Sequence, residues 1–284
     1  MSEQKFIKIS DSFFIDADYE QALAKLGLTS IDAVFSFNAG KNLSKNNLAG
    51  FRSRIQFETS SPAVTFFLKR YDNPPLLTQF KNWLSHRKMI SCSFCDLEPA
   101  KKLMQFGINT PKTIAYGQER GILFEKRSFI VTEKIPDAQS LEKKLPSYFY
   151  DPPAKANLRL RKTFIAQLAA LVKKFHQTGC RHRDLYLAHI FHSDSSRFYL
   201  IDLARCFKPI ISAERFRIKD IAQLYYSAPA KYFSNIDRLR FYLNYSSRTK
   251  LTDDDKSFIR SIINKANRMA KHDARHGRIA PFAK

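Results

Sequence analysis

Apolar and polar positions in the first half of the chain follow the alternation and the short apolar runs that are typical of β-strands. Turn-forming residues such as Gly, Asn and Pro separate these runs. The pattern predicts six strands, at residues 34–37, 53–57, 63–70, 113–116, 121–124 and 128–132. Residues 76–106 differ, because their apolar positions recur at helical spacing, and Gly107 is the expected helix stop.

The second half of the chain is mostly helical by the same criterion. Apolar residues three or four positions apart predict an amphipathic helix around residues 164–175, ending near Gly179. A loop of irregular composition is expected at residues 181–191, and a short buried strand at residues 198–203. Three more helices are predicted, at residues 213–227, 230–244 and 253–271.

A β-rich half followed by a helical half predicts an α+β fold with two lobes. Residues 133–139 are the expected hinge, and a nucleotide would bind between the lobes. We expect residues 1–30 to form an N-terminal extension packed on a first lobe of residues 31–135. Residues 136–284 would form the helical second lobe.

The composition adds a strong positive charge to this picture. The chain has 284 residues with 48 Lys or Arg and 26 Asp or Glu, which gives a formal net charge of +22. Such an excess indicates an anionic partner: nucleic acid, a phosphorylated substrate or an acidic membrane surface. No apolar run approaches the roughly 18 residues of a membrane-spanning helix, and the N-terminus lacks the pattern of a secretory signal. The few scattered cysteines predict reduced thiols, and no second pair completes a zinc site with Cys92 and Cys95.

Two aspartates carry the strongest chemical signal. The segment HRDLYLAHI at 182–190 follows an apolar helix, and the segment LIDL at 200–203 places Asp202 after Asp184. This order resembles the catalytic loop and metal-binding strand of the protein-kinase-like superfamily. Asp184 would then orient the acceptor hydroxyl, and Asp202 would hold Mg²⁺ against the nucleotide phosphates. Two aspartates that merely cap turns would not explain this order of motifs.

A lysine that reaches the phosphates is expected on an upstream strand. Lys69 meets this expectation, because it follows the apolar residues of a predicted strand in the first lobe. Its carboxylate partner should lie on the next helix, and both Asp96 and Glu98 are candidates. The longer arm favours Glu98, whereas the spacing to Gly107 favours Asp96. The two side chains point about 200° apart on a helix, so only one can face Lys69.

With these elements, the sequence resembles the lipopolysaccharide core sugar kinases, the heptose/Kdo kinase family. The resemblance runs from about residue 30 to the C-terminus. The matching segments are FLKR at 67–70, GINTP at 107–111, SFIVTE at 128–133, HRDLYLAH at 182–189, IDLAR at 201–205 and KDIAQL at 219–224. The resemblance implies a bilobal kinase fold, ATP and a divalent metal, and transfer of the γ-phosphate to a sugar hydroxyl of the inner core.

The resemblance also suggests roles for individual residues. Asp184, Lys69 and Arg183 would be catalytic, and Asp202 and His189 would lie at the metal. Protein kinases have Asn where His189 stands, so the histidine could favour Mn²⁺, contact phosphate or order the loop. The family shares this histidine.

Two further residues would support the catalytic loop. His182 is expected to pack behind the loop, and Asp220 would brace it from a helix below. Ala204 stands where protein kinases have Gly, which makes a flipping activation loop unlikely to form and fits a constitutive small-molecule kinase.

The nucleotide would also meet two segments of the first lobe. No GxGxxG motif occurs, and the equivalent segment is 38–54, where Gly40, Lys45 and Arg52 could cover phosphates. A solvated basic hairpin explains the same residues equally well. Backbone groups of Glu133 and Ile135 at the hinge would contact adenine.

The positive charge has two competing explanations. The resemblance implies a lipid-anchored, phosphorylated oligosaccharide as acceptor, with the protein in the cytoplasm and peripheral at the inner face of the cytoplasmic membrane. A nucleic-acid-binding surface is the rival, but no known nucleic-acid-binding motif supports it. A kinase-like scaffold without activity is a third hypothesis, which the intact Lys69, Asp184 and Asp202 disfavour. A protein or another glycan as acceptor stays open.

Overall fold

The protein was analysed as a computed structural model that describes residues 4–43, 50–60, 63–149 and 155–283. The chain forms two compact units. The first comprises Met1–Lys101 and Pro111–Pro136, and the second comprises Lys102–Thr110 and Asp137–Lys284. No described helix combines the length and the apolar character that crossing a bilayer requires.

The first unit is built on an antiparallel sheet of seven strands in the order β1-β2-β6-β7-β5-β4-β3. The strands are β1 (Phe6–Ser10), β2 (Phe13–Asp16), β3 (Lys41–Asn42), β4 (Arg52–Ser60), β5 (Ala63–Asp72), β6 (Thr113–Arg120) and β7 (Glu125–Glu133). Buried side chains from several strands, including Phe13, Phe66, Ile114 and Phe129, form the core of this sheet. Residues 6–16, which we assigned to an extension, contribute two of its strands.

Four helices accompany this sheet in the chain: α1 (Glu20–Lys25), α2 (Ile31–Ser36), α3 (Leu76–His86) and α4 (Phe94–Gln105). The last turn of α4 belongs to the second unit. Gly107 follows with a φ of 64°, a conformation that glycine adopts without strain, so the helix ends where the sequence predicted.

The second unit contains a small antiparallel sheet and five helices. The sheet has the order β10-β9-β8, with β8 (Ala138–Ser140), β9 (Ile190–Ser193) and β10 (Phe198–Leu200). The helices are α5 (Leu141–Tyr148), α6 (Lys155–Gln177), α7 (Ala213–Ser227), α8 (Asn235–Ser246) and α9 (Asp253–Ala274). Phe164, Leu168, Val172 and Phe175 form the buried face of α6, as their spacing predicted. The α+β fold class is therefore confirmed.

Three details of the predicted secondary structure are wrong. Residues 34–37 were predicted as a strand, but most of them lie in α2, because the Ser30 side chain accepts a hydrogen bond from the Ala33 N–H and caps a helix there. Residues 121–124 are the turn between β6 and β7, closed by the Gly121 N–H donating to the Phe124 carbonyl at 2.8 Å. The helix predicted from residue 230 begins at Asn235, since Ser234 and Asp237 form a capping box.

Candidate active site

In the first unit, Lys69 forms an ion pair with Asp96. Lys69 lies on β5 next to buried Leu68, and Asp96 lies in the first turn of α4. The Lys69 Nζ donates to Asp96 Oδ2 at 2.9 Å, and both side chains are largely buried. Because an ion pair in partial burial is screened little by solvent, it holds the ammonium group of Lys69 in a defined direction.

The alternative partner, Glu98, is wrong. Its carboxylate pairs with Lys88 instead. Two residues along a helix turn a side chain by about 200°, so a helix that presents Asp96 to Lys69 turns Glu98 away from it. The choice between the two carboxylates required the orientation of α4, which the sequence did not define.

The residues proposed to contact adenine lie at the end of β7. The Glu133 N–H donates to the Lys112 carbonyl at 2.9 Å, and its carboxylate accepts from the Tyr19 hydroxyl at 2.9 Å. The side chain of Glu133 is thus engaged within the first unit, and burial, together with this carboxylate, raises the pKa of Tyr19. Ile135 is buried two residues further on.

The segment proposed to cover phosphates is only partly described. Lys45 lies outside the described residues. Gly40 has a φ of 128°, and a Cβ there would lie 2.4 Å from the Gln56 carbonyl oxygen, so only glycine fits this position. Arg52 is exposed at the start of β4, with its guanidinium 5.6 Å from the ring centre of Tyr71.

In the second unit, Asp220 on α7 holds the HRD segment through the backbone. Its carboxylate is fully buried and accepts from the His182 N–H at 2.8 Å and from the Arg183 N–H at 2.7 Å. The Nε2 of His176 lies 3.3 Å from the same carboxylate. Asp220 therefore occupies the bracing position that the resemblance implied.

Gln223, one helical turn after Asp220, holds the next part of the loop. Its Oε1 accepts from the Leu185 N–H at 3.1 Å, and its Nε2 donates to the Arg183 carbonyl at 2.8 Å. These bonds satisfy buried backbone groups on both sides of Asp184. The matching segment at 219–224 contained Gln223, but the sequence analysis assigned it no role.

The histidines of this region are neutral supports. Burial lowers the pKa of His176, so its Nε2–H donates to Asp220 and its Nδ1 accepts from the Tyr245 hydroxyl at 2.9 Å. Burial also lowers the pKa of His182, whose Nε2 donates to the Ile201 carbonyl at 3.0 Å. His182 packs behind the loop and ties it to the residue before Asp202.

Arg183 has a φ of 70°, a left-handed conformation that costs energy for a residue with a side chain. The backbone bonds to Asp220 and Gln223 hold this conformation. Its guanidinium lies 5.2 Å from the ring centre of Phe207. These contacts show how Arg183 shapes the turn before Asp184, and its role in catalysis stays a prediction.

The Asp184 carboxylate is partly exposed and pairs with Arg205. The Nη1 of Arg205 donates to both carboxylate oxygens at 2.8 Å. Arg205 ends the single 3₁₀ turn of Leu203–Arg205, which follows Asp202. The sequence analysis noted Arg205 in a matching segment but did not foresee this pairing, because the two residues are joined only in the folded chain.

Asp202 and His189 lie side by side. Asp202 has a φ of 56°, and its Oδ2 is 3.8 Å from His189 Nε2. His189 Nδ1 lies 2.7 Å from the Asp184 carbonyl oxygen, and since a carbonyl only accepts, this nitrogen carries a proton. In the neutral ring the Nε2 lone pair then faces a carboxylate, an arrangement that a cation between them would stabilise.

The donor set fits a divalent cation held partly by a ligand. Among the described residues, no group of three or more His, Cys, Asp or Glu side chains could hold a metal ion. Mg²⁺ is commonly bound by one or two carboxylates together with substrate phosphates, so two protein ligands are sufficient. Asp202 and His189 could serve as these two.

Comparisons with known proteins agree with this site. Residues 79–245 match the lipopolysaccharide kinase (Kdo/WaaP) family. The chain is 29% identical to the lipopolysaccharide core heptose(I) kinase WaaP of Escherichia coli strain K12 over 184 residues, which cover 62% of this chain and 68% of that protein. It is 28% identical to the protein of the same name from Pseudomonas aeruginosa, over 69% of this chain and 76% of that protein.

Two further likenesses extend this result. A 3-deoxy-D-manno-octulosonic acid kinase of Vibrio vulnificus is 23% identical over 51% of this chain and 58% of that protein. A solved structure of WaaP in complex with acyl carrier protein superposes with a TM-score of 0.67 at 24% identity, covering 88% of this chain and 96% of that one. The structural likeness shows a shared kinase-like fold. The chain therefore belongs to the lipopolysaccharide kinase (Kdo/WaaP) family, whose members transfer phosphate to a sugar hydroxyl.

Proposed function

We propose that the chain transfers the γ-phosphate of ATP to a hydroxyl of a heptose in the lipopolysaccharide inner core. The observation that carries this proposal is the second unit's loop, in which Asp220 and Gln223 hold the backbone around Asp184 while Asp202 and His189 face each other. Heptose is favoured over Kdo because the heptose kinases share more identity, over longer segments, with this chain.

Asp184 is the proposed acceptor for the hydroxyl proton. The sugar oxygen attacks the γ-phosphorus, the bond from that phosphorus to the β,γ-bridging oxygen breaks, and the proton passes to the Asp184 carboxylate. Arg205 bonds both carboxylate oxygens, which fixes the direction of the carboxylate before the sugar binds. The acceptor hydroxyl would then take over one of these two interactions.

Asp202 and His189 are the proposed ligands of the divalent cation, Mg²⁺ or Mn²⁺. The cation would neutralise charge on the phosphates of ATP. His189 can serve through Nε2, because the Asp184 carbonyl keeps the proton on Nδ1. The same hydrogen bond makes His189 a support of the loop that carries Asp184.

In the first unit, Lys69 is proposed to contact phosphate oxygens of ATP, with Asp96 holding its ammonium group in place. Gly40 and Arg52 would cover the phosphates, and backbone groups of Glu133 and Ile135 would bind adenine. We assign these functions to residues 31–135 as a nucleotide-binding lobe, with residues 136–284 as the acceptor-binding lobe.

The acceptor is proposed to be lipid-anchored, which places the protein in the cytoplasm and peripheral at an anionic membrane. The net charge of +22 supports this location, since each Lys or Arg near an anionic surface contributes about 1 kcal/mol. Ile210 and Ile211 are exposed beside Lys208, and an aliphatic pair next to a cation suits a lipid interface. Nucleic acid stays the less favoured partner.

The proposed function is tested with radiolabelled ATP, Mg²⁺ or Mn²⁺, and purified lipopolysaccharide core acceptors. Transfer to heptose is expected with the wild-type chain, and Asp184→Asn and Asp202→Asn should each abolish it while leaving the circular dichroism spectrum unchanged. Asp194→Asn is the matched control, because Asp194 is an exposed carboxylate of the same unit that pairs only with Lys144 in the contacts described. It should retain full activity.

Other outcomes would contradict specific parts of this proposal. Wild-type rates in both variants would discard the assigned chemistry. Tight nucleotide binding without transfer to any acceptor would favour the scaffold hypothesis. Label in Kdo or in protein, with none in heptose, would replace the proposed acceptor.

A further inference from the structure

A basic groove opens beside the catalytic loop in the second unit. It lies between the start of α7 and the middle of α9 and has a volume of about 750 Å³, within the usual range of ligand pockets. Its charged lining consists of Arg183, Glu214, Arg215, Lys219, Lys265 and Arg268, which we call the basic groove.

The charges of this groove are unbalanced. Five of its six charged residues are cations, and its one carboxylate, Glu214, lies 3.8 Å from Arg217 outside the lining. A concave surface lined by one sign of charge concentrates ligands of the opposite sign. The groove therefore favours an anion.

The cations nearest the loop are poorly solvated. Burial lowers the pKa of Lys219, and the neighbouring charge of Arg205 lowers it further. Arg183 is affected in the same way, and its Nε is buried without a hydrogen-bond partner in the described part of the chain. An anion placed among these groups would relieve both the desolvation and the mutual repulsion.

The nearby carboxylates cannot supply this compensation. Asp184 is already bonded by Arg205 through both oxygens, and Asp220 accepts the backbone N–H groups of the loop. The balancing charge must therefore come from a ligand.

We propose that the basic groove binds a phosphate group of the sugar acceptor while Asp184 orients the hydroxyl that is phosphorylated. Arg183 lines the groove and directly precedes Asp184, so an anion bound there would lie on the acceptor side of the reaction. Guanidinium groups match the paired oxygens of phosphate, and three arginines line the groove. This inference rests on the proposed function, since it concerns the same acceptor.

The test measures binding without ATP, so that it does not depend on transfer. The probes are a soluble, deacylated and phosphorylated core oligosaccharide and the same oligosaccharide after phosphatase treatment, titrated by calorimetry. The wild-type chain should bind the phosphorylated form at least tenfold more tightly, which corresponds to about 1.4 kcal/mol. The double variant Lys265→Gln/Arg268→Gln should lose this preference and bind the treated form as the wild type does.

Matched variants separate the groove from net charge and from folding. Arg260→Gln/Lys271→Gln removes the same charge from α9 outside the groove and should keep the preference. Arg215→Gln changes an exposed groove residue and should weaken phosphorylated-probe binding with an unchanged melting temperature.

Three results would overturn the inference. Equal wild-type affinity for the two oligosaccharides would exclude phosphate recognition. Equal losses in the groove variant and the control variant would show a general charge effect. A loss confined to anionic phospholipid vesicles, with oligosaccharide binding retained, would assign the groove to the membrane surface. Tight, phosphate-dependent binding together with no transfer would instead contradict the proposed function alone.

Discussion

Replacement of Asp220 tests how the catalytic loop is held. The fully buried carboxylate accepts two backbone hydrogen bonds, from the N–H groups of His182 and Arg183 at 2.8 and 2.7 Å. A hydrogen bond to a charged group contributes about 1.5–3 kcal/mol, so Asp220→Ala should lower the free energy of unfolding by roughly 3–6 kcal/mol. Asp220→Asn keeps one acceptor oxygen, so it should lose about half of this, roughly 1.5–3 kcal/mol, and stay folded.

The loss should appear in catalysis as well as in stability. Because the two bonded N–H groups directly precede Asp184, weakening one of them displaces the proposed base. A displacement of about 1 Å costs on the order of 10²-fold in rate, so kcat of Asp220→Asn should fall by about this factor. The KM for ATP should change little, because the Lys69–Asp96 pair belongs to the first unit.

The assay combines urea denaturation with steady-state kinetics on the lipopolysaccharide acceptor. Asp237→Asn is the control, since Asp237 is also a buried aspartate with a structural hydrogen-bonding role, but it caps α8 through Ser234. It should lose stability without losing kcat. Wild-type kcat in Asp220→Asn, or an equal fall in the control, would refute the assigned role of Asp220.

The remaining predictions concern other parts of the molecule. Lys69→Met should raise the KM for ATP and reduce kcat at least tenfold, whereas Glu98→Gln should match the wild type in the same kinetic assay, because Glu98 pairs elsewhere. Burial lowers the pKa of His192 to about 4, so the unfolded chain binds more protons than the native one below pH about 6.5, and stability falls as the pH drops from there toward 4. His192→Phe should flatten that part of the stability curve in urea titrations at several pH values, and an unchanged slope would contradict it. Ile211→Ser should reduce co-sedimentation with anionic vesicles while leaving transfer to soluble acceptors intact, and unchanged sedimentation would count against the proposed lipid contact.

Much of the architecture followed from local patterns. The strands β4 and β5 and the helix α6 were predicted correctly, since alternation and helical spacing report which face of an element is buried. The family was also identified correctly from short segments. The strand predicted at residues 34–37 failed because a short apolar run is ambiguous, and one side-chain cap at Ser30 was enough to favour a helix.

The sequence by itself determined the order of lobes, the family and the residue types available for the chemistry, because these depend on spacing along the chain. The tertiary structure decided which of these residues meet. It paired Lys69 with Asp96 rather than Glu98, and placed Arg205 on the Asp184 carboxylate. Such contacts join residues about twenty or more positions apart. Their geometry depends on how whole elements pack, which no local pattern of side chains encodes.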